Sequence, residues 1–154
     1  MPVVDLPDEA ATAAFAARIA ALAESGDVIA LAGDLGAGKT SFARAFIRAR
    51  GSEEEVPSPT FTLVQVYELA PAAIWHFDFY RVTRPDEAWE LGIEDAFSQG
   101  ISLIEWPERL GPLLPPHRLG ITLLFGDQPD ARRARIAAGE GWRERLAGIV
   151  ADAK

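Results

Sequence analysis

Gly33-Asp34-Leu35-Gly36-Ala37-Gly38-Lys39-Thr40 fits the pattern G-x-x-x-x-G-K-[ST], and its flanks decide what that pattern means. Upstream, Val28-Ile29-Ala30-Leu31-Ala32 is an apolar run of strand length. Downstream, Ser41 to Arg50 reads as a helix that meets Gly51 as its stop. A strand, a glycine-rich loop and a helix N-terminus in that order form a phosphate cradle, because a helix start presents unpaired N–H groups and a partial positive charge. Gly33, Gly36 and Gly38 admit backbone angles closed to other residues, so neighbouring N–H groups can turn inward. Lys39 supplies a point charge for the β- and γ-phosphates, and Thr40 a hydroxyl for Mg²⁺. The loop from Gly33 to Thr40, with Ser41 after it, is therefore the expected triphosphate site. The competing reading, a glycine-rich turn that binds nothing, leaves the Lys39-Thr40 pair without a purpose.

Composition sets the frame. The chain has 154 residues, 49% of them hydrophobic, enough for one domain with a real core. Its formal net charge of −8 disfavours non-specific binding to nucleic acid or to an anionic membrane. With no cysteine, disulfides, thiolate catalysis and zinc–cysteine sites are excluded. The start, Met1 to Glu9, has neither a basic segment nor a signal-type apolar core, and no stretch is apolar for long enough to span a bilayer as a helix. A cytoplasmic protein without membrane contact is expected.

The order of elements gives the fold class. Asp8 is a candidate N-cap for a helix with Ala11, Ala14, Phe15, Ile19 and Leu22 at helical spacing, running up to Gly26. Val56-Pro57-Ser58-Pro59-Thr60-Phe61 cannot be helical, given its two prolines. Thr62–Leu69 and Ala73–Val82 read as strands, and the short link between them predicts an antiparallel hairpin. Short helices are expected over Pro85–Leu91 and Glu94–Ser98, then a strand over Ile101–Glu105 and a proline-marked loop. Leu119–Phe125 is a further strand, to which Ala131–Ala138 is a candidate partner. A helix is predicted over Gly141–Ala153, with Trp142, Leu146, Ile149 and Val150 on one face. Because parallel strands need crossovers, the early hairpin implies a mixed sheet: an α/β P-loop NTPase domain with helices flanking the sheet, residues 1–154 forming one domain.

A phosphate loop needs a carboxylate near its magnesium ion. Glu105 ends an apolar strand and should emerge at the edge of the sheet where ligands bind in open α/β folds. The alternative is a solvated residue that terminates the strand. Asp78 lies in Ile74-Trp75-His76-Phe77-Asp78-Phe79-Tyr80, where alternation puts His76, Asp78 and Tyr80 on one face. A carboxylate among aromatics needs partners. It either orients the magnesium shell or the attacking water, or it pairs with Arg81 or Arg84. Thr60, in a rigid Ser-Pro-Thr-Phe turn, is placed either to bring a hydroxyl near the γ-phosphate or merely to form the turn. Trp106 either packs beside the nucleotide or belongs to the core. Of Arg132, Arg133 and Arg135, alternation puts the last two on one face, reaching phosphate or base, or else blunting a strand edge. Neither His76 nor His117 forms a metal-ligand pattern, and both read as structural.

These segments together resemble the bacterial TsaE (YjeE) ATPases. The resemblance rests on Gly33–Thr40, Ser58-Pro59-Thr60-Phe61-Thr62-Leu63-Val64, His76-Phe77-Asp78-Phe79-Tyr80-Arg81 and Ile104-Glu105-Trp106-Pro107-Glu108, in that order, with the opening Leu6-Pro7-Asp8-Glu9. It implies a weak ATPase that works with TsaD and TsaB in the threonylcarbamoyl modification of adenosine beside the anticodon of certain tRNAs. The transfer itself would belong to TsaD, and tRNA would be met only through the complex. It implies phosphate and magnesium roles for Lys39 and Thr40, a magnesium carboxylate in Glu105, a catalytic-site acid in Asp78 and a switch-like loop around Thr60. Trp106 would stand beside the site, and the late strand carrying Arg135 would approach the nucleotide. Phe79 and Ser41 depart from the family's common Leu and Thr.

Three other readings of the loop are weighed against this, one of them a non-catalytic nucleotide-sensing subunit that shades into the family reading. A Ras-like GTPase would need an N-K-x-D guanine reader and a D-x-x-G switch, and the chain has no asparagine and no D-x-x-G, which favours adenine. A small-molecule kinase would use the same loop with an arginine-bearing lid and an acceptor pocket, a part open to Arg81 and Arg84.

Overall fold

A computed structural model describes residues 2–53, 56–57 and 63–150. The strand before the phosphate loop, Val28–Ala32 (β2), lies mid-sheet, as its apolar run requires. The other strands are Val3–Leu6 (β1), Val64–Tyr67 (β3), Ile74–Asp78 (β4), Ile101–Glu105 (β5), Leu119–Phe125 (β6) and Arg132–Ala138 (β7). They form one seven-stranded sheet in the order β1-β7-β6-β2-β5-β4-β3. β6, β2, β5 and β4 run parallel, while β3 pairs antiparallel with β4, β7 with β6, and β1 with β7. The mixed sheet and the early hairpin are as expected from sequence. β1 was not expected.

Helices cover both faces. On one lie Glu9–Leu22 (α1) and Lys39–Ala49 (α2), packed against Ile29 and Leu31 of β2, Leu103 of β5 and Ile121 and Leu123 of β6. Asp8 caps α1, its carboxylate accepting the Ala11 N–H at 2.8 Å. Phe15 meets Phe42 edge to face at 5.9 Å, joining α1 to α2. Arg50 donates to the Ala20 and Ala23 carbonyls at the end of α1, where backbone acceptors run out of regular helical partners. The other face is covered by Pro85–Trp89 (α3), Ile93–Gln99 (α4) and a 3₁₀ segment, Pro107–Leu113, kinked at Gly111. There Val28, Phe77, Phe79, Val82, Ile93, Ile104 and Leu110 form a second core.

The C-terminal region differs from expectation. Instead of one helix over Gly141–Ala153, the structure has two short turns, Trp142–Arg145 (α5) and Ala147–Val150 (α6), and residues 151–153 lie outside the described part. The apolar stripe survives the break, with Trp142, Leu146 and Ile149 all buried. Ile149 N–H bonds the Leu146 carbonyl three residues back, tighter than an α-helix, and Gly148 weakens the helix locally. Thr62, at the start of the predicted first hairpin strand, also lies outside the described residues.

Two-residue alternation sets up the site. On β5, Ile101, Leu103 and Glu105 share the face under α1 and α2, and on β4 so do Ile74, His76 and Asp78. The parallel register puts Asp78 beside Glu105. Both carboxylates thus emerge at the ends of neighbouring strands, facing the start of α2.

Candidate nucleotide site

The loop leaves β2 at Ala32 and enters α2 at Lys39. Gly33 has φ +143°, and a Cβ there would lie 2.6 Å from the Leu123 carbonyl oxygen, so this close approach to β6 requires glycine. Gly38 sits at φ +104° as the cap of α2, the left-handed turn that swings the chain into the helix. Arg132, at the start of β7, straps the loop from outside. Its Nε donates to the Ala37 carbonyl at 2.9 Å and its Nη2 to the Gly36 carbonyl at 3.3 Å, while Nη1 holds the Pro129 and Ala131 carbonyls.

Lys39 is buried, and its ammonium donates to the carbonyls of Gly33 and Asp34. It lies 4.0 Å from the Trp106 ring centroid, a cation–π contact. Burial holds its pKa below the ordinary lysine value, while Glu105, Glu108, Asp78 and Asp34 pull it back toward the charged form. Trp106 has φ +59°, a strained conformation for a bulky residue, which turns its ring toward Lys39 and against Tyr80, 4.9 Å away.

Glu105 is 3% exposed, so it is not a solvated strand terminator. The Thr40 hydroxyl stands 2.9 Å from its Oε1 and 3.1 Å from its Oε2, and His76 Nε2 lies 2.7 Å from Oε2. Asp78, also buried, accepts the Tyr80 N–H at 3.0 Å. Arg84 pairs instead with Asp86 and Glu87.

These groups line a cavity of about 290 Å³ bounded by Leu35, Gly36, Gly38, Lys39, Thr40, Ser41, Asp78, Tyr80, Glu105 and Trp106. A second cavity of about 310 Å³ shares Gly38 and Ser41 with it and extends past Arg44, Arg48 and Arg132 to Thr12 and Ala13 of α1. Among the described residues no group of three or more His, Asp or Glu side chains forms a metal cage. One carboxylate and one hydroxyl are nevertheless the donors that a magnesium ion held chiefly by phosphates and water requires, and the pair fits it. No described helix is long and apolar enough to cross a membrane.

The family model described as "Threonylcarbamoyl adenosine biosynthesis protein TsaE" matches residues 6–134. The chain belongs to the TsaE family. It is 40% identical over 132 residues to the tRNA threonylcarbamoyladenosine biosynthesis protein TsaE of Rickettsia bellii, covering 85% of this chain and 91% of the relative. It is 37% identical to the TsaE protein of Haemophilus influenzae, covering 86% and 87% of the two chains. The crystal structure of YdiB from Bacillus subtilis superposes with a TM-score of 0.79 at 32% identity, covering 97% of this chain and 93% of that one. The fold is the P-loop NTPase fold of that family.

Of the residues singled out from sequence, the loop from Gly33 to Ser41, Asp78, Glu105 and Trp106 converge. Thr60 lies outside the described residues. Arg135 is a correction. It points away from the α1–α2 face, because its neighbours Ala134 and Ile136 are the buried residues of β7, and it lines neither cavity. Arg132, three positions earlier, is the arginine that touches the loop. His76, which reads as structural in the sequence, contacts the site's carboxylate, and the alternation that groups it with Asp78 is the signal that places it there. Tyr80, the third residue of that alternating set, closes the cavity against Trp106.

Proposed function

We propose that this chain is a slow, magnesium-dependent ATPase of the cytoplasm that supports the threonylcarbamoyl modification of tRNA adenosine together with TsaD- and TsaB-type proteins. The observation that carries the reading is the convergence of three elements on one carboxylate-bearing cavity: Lys39 and Thr40 from α2, Glu105 from β5 and Asp78 from β4.

The phosphates of ATP take the loop, whose N–H groups and the N-terminus of α2 meet their charge. Lys39 exchanges its carbonyl partners for β- and γ-phosphate oxygens. Ser41 and the cavity beyond it, edged by Arg44 and Arg132, take the nucleoside. Thr40 and Glu105 would hold magnesium, which would offset the negative charge developing on the phosphates. Asp78 orients the attacking water, Trp106 holds the Lys39 ammonium in line, and Thr60 is assigned to a switch-like segment by sequence alone. Hydrolysis then acts on the partner proteins. The curated relatives carry the biosynthesis of tRNA threonylcarbamoyladenosine in their names, which supports the choice of pathway.

The test is ATP turnover by the purified chain, alone and with TsaD, TsaB, threonylcarbamoyl-adenylate and tRNA. Lys39→Ala is expected to lose ATP binding or turnover, and Glu105→Gln to lose the magnesium dependence. Multiple rounds of tRNA modification should require both this protein and hydrolysis. Turnover of Lys39→Ala at the wild-type rate would sink the assignment. ATP consumption that required and phosphorylated a small molecule would establish a kinase instead.

A further inference from the structure

His76 is wholly buried, and its two ring nitrogens have different fates. Nε2 lies 2.7 Å from Glu105 Oε2, whereas Nδ1 is buried with no hydrogen-bond partner among the described residues. An ionised carboxylate only accepts hydrogen bonds. With the proton on Nδ1, two acceptor atoms would face each other at 2.7 Å and a buried N–H would have no acceptor. With the proton on Nε2, the short contact becomes a hydrogen bond and only a lone pair is left bare. The hydrogen-bond geometry therefore favours the Nε2–H form.

The consequence falls on Glu105. A glutamate carboxylate turns easily about its last bond, whose torsional preference is broad. Thr40 has one proton to give, and its hydroxyl oxygen stands within 3.1 Å of both carboxylate oxygens, so Thr40 alone does not choose between them. His76 does choose, because it engages Oε2 from the neighbouring strand, and the parallel β4–β5 register holds the imidazole in place.

We propose that His76 is a positioning residue that donates its Nε2–H to Glu105 Oε2 and thereby fixes the orientation in which Glu105, with Thr40, receives magnesium. This rests on the magnesium reading of Glu105 given above. Partners that orient metal ligands are worth about 10–100-fold in metal affinity, so the loss of this one should be read in the metal and not in the nucleotide.

Two measurements test it. The first is nitrogen NMR of the unmodified, unliganded protein labelled in histidine: His76 Nε2 is expected to carry the proton, and a bare Nε2 would overturn the proposal. The second compares His76→Phe, which keeps a ring without a donor, with His76→Gln, which keeps an N–H. Manganese binding to the protein–ATP complex is followed by electron paramagnetic resonance, alongside the magnesium dependence of turnover. The Phe variant is expected to bind the metal about 10–100-fold more weakly, with metal-free ATP affinity within about twofold of wild type, and the Gln variant to recover most of the loss. A folded Phe variant with unchanged metal affinity overturns the role. Should the variants not fold, the tautomer measured on the unmodified protein decides alone. Glu105→Gln run in parallel separates the two failures: unchanged metal affinity in that variant rejects the magnesium reading, whereas a loss there with none in His76→Phe rejects only the role of His76.

Discussion

At the scale of single residues, the loop's glycines are not equivalent, although the motif writes them alike. Gly33 combines φ +143° with a β6 carbonyl 2.6 Å from where a Cβ would stand, and that backbone cannot yield without moving the sheet. Gly36, at φ +83°, has nothing within 4 Å of the same position. Gly36→Ala therefore meets only backbone strain, about 1 kcal/mol, while Gly33→Ala meets strain and a clash together, about 2–3 kcal/mol. Urea denaturation should rank the variants in that order, and ATP affinity should fall more than tenfold for Gly33→Ala. Equal losses for both would show that the contact with Leu123 is slack. The motif made the glycines legible in the sequence. Their ranking was not, because it depends on how closely β6 approaches, a contact between residues 90 apart in the chain. His76 was legible only in part, since alternation groups it with Asp78 but does not show what faces it. A histidine among aromatics reads as core until the strand beside it is seen to carry Glu105.

At the scale of elements, local pattern succeeded where a segment's own residues determine its structure and failed where distant ones do. β2, β5 and β6 were readable because each is a mainly apolar run of strand length. β1 was not, since Val3–Leu6 is four residues between two prolines and owes its strand form to pairing with β7, Val3 opposite Arg135. α5 was over-extended in the sequence reading because a buried stripe does not guarantee an unbroken helix. A four-residue turn is not stable by itself and must be held from outside. Arg145 holds it. Its guanidinium lies 3.8 Å from the Trp142 ring centroid, bonds the Leu22 carbonyl and grips both oxygens of Asp27, at 2.6 and 3.0 Å. This ties the C-terminal turn to the junction of α1 and β2. Arg145→Ala strands a carboxylate that is 7% exposed and that keeps the Glu24 N–H as a partner. The expected loss is about 2–3 kcal/mol, below the full figure for a buried pair because Arg145 retains some solvent contact. Lysine should rescue little, since it cannot make the two-pronged contact. None of these partners lines either cavity, so ATP affinity should change less than twofold. A loss of affinity matching the loss of stability would mean that α5 supports the phosphate loop.

At the scale of the whole molecule, strand order does the work that no single segment can. Between β2 and β5 the chain runs through α2, the β3–β4 hairpin, α3 and α4, yet the two strands are neighbours at the centre of the sheet. That crossover brings Thr40 to Glu105 across 65 residues of sequence. A ligand bound there touches α2, β4 and β5 together, so it should stabilise the fold as a unit. At a free concentration 100 times its dissociation constant, a ligand specific for the native state adds about 2.7 kcal/mol. For a chain of this length each kcal/mol raises the melting temperature by about 2–4 °C, which gives a shift of about 5–10 °C with ATP and magnesium. Chelating the metal should remove much of the shift, because Thr40 and Glu105 then face the phosphates without a cation between them and two negative groups repel. GTP at the same concentration should give a smaller shift, since the chain has no asparagine from which to build an N-K-x-D guanine reader. Calorimetric melts with ATP, ATP plus chelator and GTP check all three expectations. A shift of equal size for ATP with and without magnesium would argue against a metal role for Glu105, and an equal shift for GTP would show that the site reads the phosphates and sugar but not the base.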